Sequence, residues 1–234
     1  MIQNTYMFYL DVSGTLKSGT DDIYVGCILF NENYRAGFRE KFYAAFPSLR
    51  SFEKKGASLH PDKLKEIIKF MDDNHIKMSC CRLPRHIIKK YYGVVAEQIQ
   101  TTKNLHVAGI PKDYDERIIA IAYYTALKQY AHERCSYACT FCVESQFNLQ
   151  SVFVALSRIS HSGNFYFRPS HTYRRVEHML KFADFVASAG RKIDTFVLNQ
   201  FVNFKIVDCA PTSQEIDVVF DISRHKNPCR NYLN

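Results

Sequence analysis

The chain has 234 residues, 47% of them hydrophobic and 14% aromatic, with a formal charge of +8. That composition excludes a disordered or fibrous protein and leaves room for one large core. A secretory signal and an apolar run of about 18 residues are both absent, so a cytoplasmic protein without a membrane partner is expected. The eight cysteines are then expected to be reduced thiols rather than disulfides.

Residues 6–11 read as a buried strand, and Ile23 to Phe30 (IYVGCILF) as a second, the two forming an opening hairpin across a Gly-, Ser- and Asp-rich turn. A helix is expected over about 33–46. Pro61 suits the first position of another, in which Leu64, Ile67, Ile68 and Met71 recur at helical spacing. Ile76 to Leu83 reads as a strand. The stretch 84–134 reads as a helical insertion, its Tyr91-Tyr92 and Tyr123-Tyr124 pairs being core residues or, as the rarer alternative, base contacts. Ala138 to Glu144 reads as a strand, followed by a helix near 148–159, a short strand at 164–167 and a helix near 172–191. The segment 196–234 reads as extended, with Phe201 to Val207 and Ile216 to Ile222 as a terminal hairpin. All of this is expected to form one domain, 1–234.

Three acids interrupt otherwise apolar sequence: Asp11 near the end of the first strand, Glu144 at the end of a later one, and Asp184 within an apolar-faced helix. A fourth, Glu53, lies in a polar strip before the helix at Pro61. A buried unpaired charge is costly, and hard divalent cations prefer oxygen ligands, so converging carboxylates suit a site holding Mg2+ or Mn2+. Taken singly, each acid is better explained by capping or a surface position. Arg174, Arg175, Lys181, Arg191 and Lys192 concentrate positive charge in one later segment, which fits a polyanionic partner or a solvated basic surface.

The run Tyr9-Leu10-Asp11-Val12-Ser13-Gly14 resembles the Asp-Glu-Ser-Gly opening of domain-of-unknown-function family 3800, for which a ribonuclease-H-like fold is expected. Glu53-Lys54-Lys55-Gly56-Ala57-Ser58-Leu59 is similar to that family's Glu-x-Lys-Gly-x-x-Leu stretch, and Phe182-Ala183-Asp184-Phe185 to its late Leu-Ala-Asp helix. The resemblance implies an α/β, ribonuclease-H-like mixed sheet flanked by helices and a nuclease that hydrolyses phosphodiester bonds in RNA or DNA with two metal ions. It implies Asp11, Glu53, Glu144 and Asp184 as catalytic metal ligands for Mg2+ or Mn2+. Ser13, Lys54, Lys55, Arg174 and Arg175 are the accompanying candidates for substrate contact. Val12 departs from the family, which has an acid there. In a strand Val12 points away from Asp11, so the departure is compatible with an intact site or with a non-catalytic relative that binds nucleic acid or a protein partner. A homo-oligomer is also left open.

Two other constellations compete. Cys135, Cys139 and Cys142 have the C-x3-C-x2-C spacing by which radical S-adenosylmethionine enzymes hold an iron-sulfur cluster, but only 92 residues follow and no glycine-rich segment accompanies them. With His132 they make a four-ligand set for zinc, against which stands a plain strand filled with small hydrophobes. Ser13 lacks a partner that would make it a nucleophile, and Ser13-Gly14 reads as turn chemistry.

Overall fold

The computed structural model describes residues 6–14, 21–50, 55–89, 114–131, 136–141, 148–162, 166–171 and 179–220. Its centre is a six-stranded mixed sheet in the order β5-β4-β1-β2-β3-β6. The strands are β1 (Tyr6–Ser13), β2 (Ile23–Asn31), β3 (Lys77–Leu83), β4 (Ser136–Phe141), β5 (Tyr166–His171) and β6 (Phe204–Asp208). β1, β2 and β3 form an antiparallel meander, and β4 and β5 extend it on the β1 side by parallel pairing. On the other edge β6 pairs parallel with β3.

The helices are α1 (Arg35–Ala45), α2 (Pro61–Asp73), α3 (Tyr114–Leu127), α4 (Leu149–Ser162), α5 (Leu180–Lys192), the short α6 (Thr195–Leu198) and α7 (Ser213–Phe220). They cover the sheet on both sides. α1, α2 and α5 bury one face with Tyr9, Ile28, Phe30, Met78 and Cys80. α3, α4 and α7 bury the other with Phe8, Leu10, Val12, Val25, Cys27 and Cys81. Because successive strand residues alternate between faces, β1 sends Tyr9 and Asp11 toward α5 and Val12 to the opposite side, as the sequence led us to expect.

Local chemistry explains the helix starts. In α2 Pro61 occupies the first turn and the four residues picked out by spacing are all buried. α1 presents Phe38 and Phe42 to a cluster of aromatic rings that includes Phe70, Phe182 and Phe185; Phe42 and Phe182 meet edge-on at 4.7 Å. Tyr123 and Tyr124 are core residues. α3 is buried over nearly its whole surface, and its end is tied to the sheet by Ser79, whose hydroxyl donates to the Ala126 carbonyl.

The terminal hairpin does not form. β6 pairs with β3 instead, and residues 213–220 are helical. A short apolar run is ambiguous between strand and helix, and here the decision lies just before it. Thr212 and Glu215 make a reciprocal cap, with Glu215 N–H donating to Thr212 Oγ1 and Thr212 N–H to Glu215 Oε2. Among the described residues no helix is long and apolar enough to cross a membrane.

Candidate functional site: two buried carboxylates where a helix meets the sheet

Asp11 is 2% exposed and its Oδ1 accepts the backbone N–H of Val12 at 2.9 Å. Its partner across the β1–β2 ladder is Gly26. A Cβ at Gly26 would stand 2.0 Å from the Ala183 carbonyl oxygen and 2.5 Å from the Ala187 nitrogen. The backbone of α5 therefore rests directly on the sheet beside Asp11, which only a strand residue without a side chain permits. Gly190 repeats the device one turn on, where a Cβ would come within 2.2 Å of Cys80 Sγ. α5 is thus seated by Ala183, Ala187 and Gly190 on one side.

The adjoining side of α5 is polar and equally buried. Asp184 is 4% exposed, and its Oδ2 accepts the Gly56 N–H at 2.7 Å. Lys181, one turn earlier, is also buried and donates to the Leu49 carbonyl, with its ammonium 5.9 Å from the centre of the Phe185 ring. Ser188 packs on Gly56, where a Cβ would approach its Oγ to 2.5 Å. Lys192 donates to the carbonyls of Ala57 and Leu59. Together these four residues hold the chain on either side of positions 51–54, the stretch that contains Glu53 and Lys54.

Asp11 lies on the sheet face that α5 covers, and Asp184 is carried by α5 itself. Glu53, Glu144, Lys54, Arg174 and Arg175 lie outside the described residues, as do His132, Cys135 and Cys142. Lys55 is exposed beside Gly56, and Ser13 is buried on Asp11's face. Ser13 ends β1 and Gly14 takes φ +108°, a backbone conformation that suits glycine. The basic segment is not a free patch where it is described: Lys181 and Lys192 bind carbonyls, and Arg191 pairs with Asp21 at 2.9 Å. Among the described residues no three His, Cys, Asp or Glu side chains gather as a metal-binding group.

The residues that sequence reasoning passed over are Gly26 and Ser188, while Gly56 entered only as part of a motif and without its bond to Asp184. An isolated glycine inside the apolar strand IYVGCILF is a signal of close backbone approach, and it was the available clue. No protein-family model matches the chain, and no curated protein is significantly similar to it.

Proposed function

We propose that this protein is a metal-dependent nuclease of the ribonuclease-H-like kind, acting on RNA or DNA through the face that carries Asp11. The observation that carries the reading is the burial of two acids at the junction of β1 and α5: Asp11 on the strand face that α5 covers, and Asp184 on α5 itself, bound to the Gly56 N–H 128 positions away. The antiparallel opening of the sheet and the parallel addition of β4 and β5 beside β1 agree with it. So does the family resemblance, which names the same two acids.

Carboxylates removed from water suit a divalent cation, because hard cations take oxygen ligands and compensate a buried negative charge. Asp11 and Asp184 would hold Mg2+ or Mn2+, and Glu53 and Glu144 are the further ligands the resemblance implies. When bound, the metal supplies an activated water and stabilises charge on the leaving oxygen. Lys55, exposed next to Gly56, would meet a phosphate of the strand. The bond from Gly56 N–H to Asp184 holds one carboxylate oxygen fixed and links that acid to the loop bearing Lys55.

A second reading has its own support. Asp184 and Lys181 both have structural partners in Gly56 and Leu49, so their burial is explained without chemistry, as it would be in a relative that binds nucleic acid but does not cut it. The test is to incubate the full chain and Asp11→Asn with labelled single- and double-stranded RNA and DNA in magnesium, manganese or chelator, and to record melting temperature with each ion. The nuclease reading expects cleavage that needs metal, and a metal-induced rise in melting temperature, both lost in the variant. Binding without cleavage in any metal selects the second reading.

A further inference from the structure

A cavity of about 710 Å³ lies at the Tyr6 end of the sheet. Asp11 is five residues farther along β1, about 17 Å at the rise of a strand, so the two sites are separate. The cavity is in the size range of small-molecule sites. Its floor is apolar, formed in part by Phe30 and Phe38, whose rings stand 5.3 Å apart. Tyr6 and Tyr34 stand at its rim, 44% and 68% exposed. Their flat faces suit another planar ring.

Its charge is one-sided. Lys41, His75 and Lys77 line the cleft and are exposed, and no carboxylate is among the lining residues. Two of the lining residues also run against local preference. Gly37 sits in the third position of α1, where glycine is the poorest residue after proline. Neither a positive φ nor close packing calls for it: a Cβ there would meet nothing within 4 Å. What its missing side chain does is leave the wall of the cleft open. His75 has φ +59°, a conformation that glycine adopts without strain. The turn explains the backbone but not the imidazole, which the cleft would use.

We propose that this cleft binds a nucleobase carrying a phosphate, the ring against the aromatic floor and rim and the phosphate among Lys41, His75 and Lys77. The ligand is either a free nucleotide or the end of a single strand, since both present the same chemistry. Cation-rich aromatic surfaces bind bases by stacking and phosphates by charge, with little dependence on base identity. The inference stands apart from the nuclease reading, because it uses neither Asp11 nor a metal.

The test is calorimetric titration of the full chain, in chelator, with AMP, ATP, adenosine, tripolyphosphate and a 5′-phosphorylated ten-nucleotide single strand. The proposal expects saturable binding of nucleotide or strand, with adenosine and tripolyphosphate each at least about tenfold weaker. Gly37→Leu, which fills the cleft with a better helix former, is expected to weaken binding by about tenfold or more while the melting temperature holds or rises. Lys41→Glu with Lys77→Glu should weaken it and flatten its salt dependence. The nucleotide or strand should bind in chelator with no metal present, which separates this site from the other. Gly37-dependent binding of the strand alone would name the strand end as the ligand, and of AMP as well, the free nucleotide. Absence of binding by the native chain, equal binding by Gly37→Leu, or tripolyphosphate binding as tightly as ATP would overturn the proposal.

Discussion

Asp184 has two separable properties, an oxygen that receives the Gly56 N–H and a negative charge. Asparagine keeps the first and removes the second. Asp184→Asn should therefore stay within about 1 kcal/mol of the native stability, whereas Asp184→Ala strands a buried N–H and should cost about 1–3 kcal/mol in urea unfolding. If Asp184→Asn nonetheless loses metal-dependent cleavage, the charge is what chemistry needs. Both acids were visible in the sequence because each breaks an apolar run. Lys181 was not, since a lysine on a helix is normally read as solvated. It is buried here because the Leu49 carbonyl, 132 positions away, accepts from its ammonium.

At the level of elements, the seat of α5 on β2 depends on backbone contact. Gly26→Ala would place a methyl group 2.0 Å from the Ala183 oxygen, and since neither element is the flexible end of a side chain, the helix must lift. A loss at or above the 1–3 kcal/mol typical of an overpacked core is expected, read as a lower urea midpoint and a smaller soluble yield. The end of α2 makes the opposite prediction. Ile76 N–H donates to the Met71 carbonyl and His75 N–H to that of Asp72, the pair of bonds that closes a helix through a left-handed residue. Glycine is the usual occupant, so His75→Gly should stabilise by roughly 0.5–1 kcal/mol in thermal or urea unfolding, the relief of strain less the greater freedom of the unfolded chain. Helices with strong spacing, α1 and α2, could be placed from sequence. α7 could not, because its apolar run is too short for periodicity and its capping pair Thr212 and Glu215 lies at the very start.

Across the whole molecule the buried thiols make stability depend on alkaline pH. Cys27, Cys80, Cys81 and Cys209 are free and buried. Burial pushes the Cys80 thiol up to about 12, and Cys27, Cys81 and Tyr130 move in the same direction for the same cause. The fold thus keeps protons that the unfolded chain releases near pH 9. Their contribution is complete below that pH and is lost as pH rises toward 12. The urea midpoint should fall from pH 8 to pH 11, and Cys80→Ala should make that fall shallower, whatever it does to stability at pH 7. Burial also keeps reagents from these four thiols, so an alkylating reagent should leave them intact at neutral pH until denaturant is added.

Composition and local pattern determined that the chain is α/β, that β1 and β2 open it as a hairpin, and which residues of α2 face the core, because these follow from side-chain period and from chemistry within a few positions. They also marked Asp11 and Asp184 as acids out of place. Only the tertiary structure decided that β6 joins β3 in parallel, that α5 lies on Gly26, and that Asp184 closes on Gly56. Each of those joins residues about 125 or more positions apart, so each depends on which surfaces meet once the sheet has formed, and no window of neighbouring residues contains that information.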